Sequence, residues 1–137
     1  GEKRPWPYQL ERIEVLSNKA LAARWEPPLG SQTEKGFYLF TKHCVACHAM
    51  NLKGGAMGPE LNVPQNILSY RARSQLLAFM KDPQSFRTGS LMPPTHLDDE
   101  DLNLVLDYLE AMGRKQVCQT KQSCEALVQR APKMQTR

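Results

Sequence analysis

The sequence predicts an all-α fold, and three observations carry that expectation. Apolar residues recur at helical spacing in three segments: Gly36, Phe40 and Cys44; Leu76, Leu77, Phe79 and Met80; and Leu102, Val105, Leu106, Leu109 and Met112. Glycine and proline punctuate the chain between them, at Gly54-Gly55, Gly58-Pro59, Asp82-Pro83 and Met92-Pro93-Pro94. Nothing alternates strand with helix as a βαβ unit would.

Taken in order, residues 1–31 differ from the rest and form an N-terminal extended arm. Prolines interleave Trp6 and Tyr8, and Gln9 to Leu16 partly alternates with Ile13 and Val15 on one face, which predicts an extended segment. Trp25, Pro27, Pro28 and Gly30 then make a loop. Residues 32–114 form the main domain. Thr33 is placed to cap its first helix, with Glu34 favourable in the first turn. Gly36 in that helix costs about 1 kcal/mol against alanine, so something must pack closely there. A second helix covers Arg71 to Lys81 and stops at Asp82-Pro83, since a residue before proline avoids helical geometry. The last main helix starts at Asp98, with Asp99, Glu100 and Asp101 at its positive end, and finishes at Gly113. Residues 115–137 form a C-terminal extension with a short helix near Cys124 to Arg130.

The chemistry concentrates in Cys44-Val45-Ala46-Cys47-His48. A Cys-x-x-Cys-His run reads as the attachment site of a c-type haem. Two intervening residues on one helical turn put both sulfurs on the same porphyrin edge, and the following imidazole then reaches the iron. A zinc site would need a second closely spaced pair, and Cys118 and Cys124 are wider apart than a zinc knuckle allows. A thioredoxin-like dithiol would need the βαβ setting that is missing. Cys118 and Cys124 are an even remainder. In an oxidising compartment they read as a disulfide pinning the tail, with two free thiols as the alternative.

A chain of 137 residues supports one domain with segments to spare. Its 41% hydrophobic content includes scattered alanines and methionines, so a porphyrin would add much to a small core. No run of 18 apolar residues exists to span a membrane. The first residues lack the apolar stretch of a signal peptide, so the expectation is an exported chain after signal removal, or a fragment. Net charge is +4, falling to roughly +2 with two ionised propionates. The cations Lys3, Arg4, Arg71, Arg73, Lys81, Arg87, Arg114 and Lys115 are dispersed. Nucleic-acid binding would want a denser stripe with aromatic interleaving. A basic rim meeting an acidic redox protein partner fits this balance better, with a merely solvated surface as the leading alternative for most of these side chains.

This order of parts resembles class I cytochrome c over about residues 33 to 113. The resemblance rests on Gly36 and Phe40, Cys44 to His48, Gly58-Pro59, Met92-Pro93, and Tyr108-Leu109. It implies one covalent haem c on Cys44 and Cys47, with His48 as an axial ligand and the Pro59 carbonyl accepting the other imidazole N–H. It also implies a crossing of the first and last helices at Gly36, with Phe40 on that face and Tyr108 packed against the glycine. The sixth ligand it implies is Met92, in an irregular loop before two prolines, with His96 and then Met57 as rivals. Met80 and Met112 sit at core spacing, and Met50 and Met57 follow closely on His48. The arm from Arg4 to Tyr8 and the loop from Gly54 to Asn62 are also similar to cytochromes serving molybdopterin oxidoreductases. The function implied is a periplasmic carrier of single electrons between redox proteins, with no catalytic acid–base pair. The rivals are an electron-transfer subunit of a larger oxidoreductase and a haem sensor or peroxidase-like protein.

Overall fold

The computed structural model describes residues 23–130. Its elements are α1 (Glu34–His43), β1 (Ala49–Met50), β2 (Lys53–Gly54), a 3₁₀ turn (Ile67–Ser69), α2 (Arg73–Lys81), α3 (Pro83–Phe86), α4 (Asp99–Met112) and α5 (Lys121–Arg130). The fold is all-α, with one two-stranded antiparallel hairpin in which Ala49 pairs with Gly54 and Met50 with Lys53. The strand expected over residues 9–16 and the last residues of the C-terminal extension lie outside the described residues.

The core sits between α1 and α4. From α4 come Val105, Leu106, Tyr108, Leu109 and Met112, and from α1 Leu39 and Phe40, joined by Met50 and Leu61 from the segment between. The two helices meet at Gly36: a Cβ there would collide with the Leu104 carbonyl oxygen and stand 2.8 Å from the Tyr108 Cβ. The helix propensity lost at this glycine therefore permits backbone contact. Tyr108 is fully buried, and its ring lies 5.5 Å from Phe37 and 5.3 Å from Phe40.

Several local expectations are corrected. Thr33 occupies the N-cap position of α1 without capping it, because its hydroxyl pairs with the Ser31 hydroxyl at 2.8 Å. α2 begins at Arg73 rather than Arg71, because the Asn66 side chain caps the 3₁₀ turn and the Arg71 N–H donates to Ile67 O at 3.0 Å. Asp82 leaves helical geometry as expected before proline, yet Pro83 starts the short helix α3, where its missing N–H is not needed. α4 does begin with an Asp98 cap, Oδ1 accepting the Asp101 N–H at 2.8 Å. Gly113 follows its last residue in right-handed geometry, with φ −59°, so the helix unwinds through i to i+3 bonds rather than a left-handed glycine. α5 starts at Lys121, ahead of Cys124, because Thr120 and Ser123 exchange hydrogen bonds: Ser123 N–H to Thr120 Oγ1 at 3.0 Å, and Thr120 N–H to Ser123 Oγ at 3.1 Å.

Cys118 and Cys124 form a disulfide. It anchors a second apolar cluster with Val63, against which Leu52, Val117 and Leu127 pack. On the N-terminal side, residues 23–26 are fastened to the main domain. Lys115 Nζ donates to the carbonyls of Ala23 and Glu26 at 3.1 and 2.8 Å, Arg24 Nη1 donates to Asn51 O at 2.8 Å, and the Tyr108 hydroxyl donates to Trp25 O.

Candidate haem site

α1 ends at His43, one residue before the motif, so Cys44 to His48 forms its own turn rather than a last helical turn. Cys47 and His48 both donate backbone N–H groups to the Cys44 carbonyl, at 3.2 and 3.0 Å. This compact turn holds both thiols and the imidazole on one short stretch anchored to the α1–α4 core. Burial, with the neighbouring Cys47 second, pushes the Cys44 thiol up to about 11. With Cys118 and Cys124 in a disulfide, the zinc reading loses its second pair.

The His48 Nδ1 atom lies 2.8 Å from the Pro59 carbonyl oxygen. A carbonyl only accepts, so Nδ1 carries the proton and Nε2 keeps its lone pair for a metal. The loop after β2 folds back to allow this, with the Gly58 N–H donating to Cys47 O at 2.7 Å. It comes so close that a Cβ on Gly58 would collide with His48 Cε1 and stand 2.7 Å from Nδ1. Glycine is required here by contact with the ring. Gly58→Ala is therefore expected to tilt the imidazole and lower haem retention in the purified protein several-fold, read as the haem-to-protein absorbance ratio.

The remaining sequence candidates fall as follows. Met92 is half-buried in the segment between α3 and α4, and its N–H donates to Ser90 Oγ at 3.3 Å. His96 is exposed, and Met57 is 70% exposed beside the Gly58 that touches His48. Met50 and Met112 are fully buried in the core, and Met80 packs against it. Of the cations expected on a basic rim, three are engaged within the domain: Arg73 pairs with Asp107 and Glu110, Lys81 with Asp99, and Lys115 with the carbonyls named above. Arg71, Arg87 and Arg114 are exposed.

Sequence reasoning missed a buried polar network behind the site. Asn51 and Asn62 are fully buried, and Asn62 Nδ2 donates to Asn51 Oδ1 at 2.8 Å. Asn51 Nδ2 donates to the Arg24 and Lys115 carbonyls, both at 2.9 Å. Asn66 Nδ2 reaches Asn62 Oδ1 at 2.9 Å and Leu109 O at 2.7 Å. Three asparagines within sixteen residues were the available signal, but loop asparagines are ordinarily read as turn formers.

The residues fit a covalent porphyrin. α2 buries none of its residues, although Leu76, Leu77 and Met80 pack against the core, so these side chains retain apolar surface for a flat ligand. Among the described residues, Thr95 Oγ1 is the buried side-chain oxygen without a hydrogen-bond partner. A propionate oxygen would satisfy it, and an unpaired buried hydroxyl otherwise costs roughly 1–3 kcal/mol.

Comparison with known proteins agrees with this reading. The family model described as Cytochrome c matches residues 33–113. Cytochrome c oxidase subunit 2 of Alkalihalophilus pseudofirmus is 28% identical over 101 residues, covering 69% of this chain and 30% of its own length. The chain thus spans less than a third of that relative. No solved structure matches it.

Proposed function

The chain belongs to the cytochrome c family, which implies covalently attached haem c, electron transfer and redox protein partners, and from that premise we propose that it is a periplasmic carrier of single electrons. Cys44 and Cys47 would tether the porphyrin, and His48 Nε2 would ligate the iron. The observation that carries this reading is the 2.8 Å contact of His48 Nδ1 with the Pro59 carbonyl, which fixes the ring and directs Nε2 outward. Bound haem c supplies one reversible electron at its iron. Around it, the Pro59 carbonyl would hold the Nδ1 proton, and Leu76, Leu77 and Met80 would keep water from the haem. Met92 would supply a thioether ligand to the iron, which favours the reduced state. Thr95 would bind a propionate. Arg71, Arg87 and Arg114 are each exposed and would be available to an acidic partner, a contact that steers encounter and weakens with salt.

The similarity to an oxidase subunit supports a second reading, in which the chain serves as an electron-transfer subunit or domain of a larger oxidoreductase. Nothing in the described residues adds to the molybdopterin resemblance. Residues 4–8 of the arm lie outside them, and the loop from Gly54 to Asn62 is explained by its contacts with His48.

Expression with export to the periplasm, followed by mass spectrometry and a pyridine haemochrome spectrum, tests the shared premise. The expected result is polypeptide plus one haem with both vinyl groups saturated. A bare polypeptide mass would refute both readings. Migration on size exclusion with and without co-expressed neighbouring gene products separates carrier from subunit.

A further inference from the structure

The Glu60 carboxylate gathers four backbone N–H groups. Oε1 accepts from Asn51 at 3.3 Å, Asn62 at 2.7 Å and Val63 at 3.0 Å, while Oε2 accepts from Leu52 at 2.9 Å. Asn51 and Leu52 form the tight turn between β1 and β2, with φ of 54° and 69°. That left-handed pair suits asparagine followed by glycine, and a leucine in it costs roughly 1–2 kcal/mol. Leucine is held there because its side chain packs against the cluster of Val63 and the disulfide. Charge-assisted hydrogen bonds from both turn N–H groups to the Glu60 carboxylate offset the strain.

The location of this clamp gives it a second consequence. β1 leaves directly from His48, so the turn at Asn51-Leu52 is tied to the imidazole through one short strand. Pro59, whose carbonyl meets His48 Nδ1, is the residue before Glu60. One carboxylate therefore bridges the strand leaving the imidazole and the segment carrying its acceptor, and the Leu61 N–H bond to Ala49 O at 3.0 Å runs alongside. We propose that Glu60 is a positioning residue: it holds the Pro59 carbonyl on His48 Nδ1 and thereby sets the orientation and basicity of the imidazole. This rests on the reading of His48 as the iron ligand.

The test compares haem-loaded wild type with Glu60→Gln, Glu60→Ala and a control, Asn66→Ala, which removes buried hydrogen bonds of the same network that do not touch the turn or Pro59. The readouts are solvent exchange of the His48 Nδ1 proton by NMR, the reduction potential, and the denaturation midpoint. Glu60→Ala should speed that exchange about tenfold and raise the potential, because a looser carbonyl leaves the imidazole less basic and less stabilising to ferric iron. Glu60→Gln keeps an acceptor for the three Oε1 partners but turns an amide N–H toward Leu52, so it should fall between. Asn66→Ala should lower the midpoint with neither change. Exchange less than threefold faster in both Glu60 variants, or an equal acceleration in Asn66→Ala, overturns the assignment and leaves Glu60 a loop staple. Should Glu60→Ala fail to fold, Glu60→Gln decides by the same threshold. Wild type lacking haem or a histidine ligand would instead refute the proposed function, and this inference with it.

Discussion

Truncating Tyr108 to alanine should lower the stability of the haem-loaded protein by about 4 kcal/mol, read as an earlier midpoint in denaturant unfolding. Large aromatic-to-alanine changes in cores cost roughly 3–5 kcal/mol, and the value depends on how far neighbours collapse into the space. Here they cannot. The backbones of α1 and α4 already touch where Gly36 meets the Leu104 carbonyl, so the helices have no room to close over a missing ring. Phe37 and Phe40 would each lose an aromatic partner, worth about 0.5–1.5 kcal/mol per pair beyond area. Tyr108→Phe separates the hydroxyl from the ring. It removes only the bond to the Trp25 carbonyl and should cost about 1 kcal/mol. The two variants also differ in alkaline behaviour from wild type. Burial pushes the Tyr108 phenol above its ordinary value, so the folded state prefers it neutral. Its contribution is full below the unfolded value near 10 and is lost as pH rises beyond it. Tyr108→Phe should remove that part of the alkaline loss. A near-neutral Tyr108→Ala would mean that the helix crossing does not depend on this ring.

A close approach at Gly36 was legible in the sequence because that glycine is a local cost with no local benefit, while the crossing with the last helix followed from the family resemblance. The motif from Cys44 to His48 was legible because its spacing is set by a single rigid ligand. What could not be read depends on partners distant along the chain. Asn51 joins Arg24 to Lys115 through its side-chain amide, and no window of sequence contains all three. Glu60 looks like any loop acid until the turn at Asn51-Leu52 is seen to point its N–H groups at it. The hairpin itself has strands of two residues, too short for alternation to register. Thr33 shows the opposite failure. The local rule named the right position, but Ser31 competed for the hydroxyl.

Replacing Met92 with alanine should abolish the sulfur-to-iron charge-transfer absorption of the ferric protein and lower its potential by an amount on the order of 0.1 V, within the ~0.8 V range that axial ligands command. The choice among the five methionines of the described residues turns on burial and placement. Met50 and Met112 are fully enclosed in the α1–α4 core, and moving either would open a cavity there. Met57 is 70% exposed and precedes the glycine that lies against the His48 ring. Met80 is partly buried on α2, packed against the core like Leu76 and Leu77, and its carbonyl receives the Thr95 N–H at 3.0 Å. That last bond ties the segment after Met92 to the end of α2, and Ser90 holds the Met92 N–H from the other side. A thioether on a segment pinned at both ends would lose little extra entropy on ligating the iron. Without the thioether, the ferrous Met92→Ala protein should bind carbon monoxide rapidly, while wild type resists. His96→Ala provides the opposing measurement: were the exposed imidazole the ligand, wild type would show no sulfur-to-iron band, and rapid carbon monoxide binding would appear in His96→Ala instead. A wild type that lacks the far-red band, is unchanged by Met92→Ala and binds carbon monoxide rapidly only after His96→Ala would transfer the sixth position to the histidine and predict a protein of lower potential from the outset.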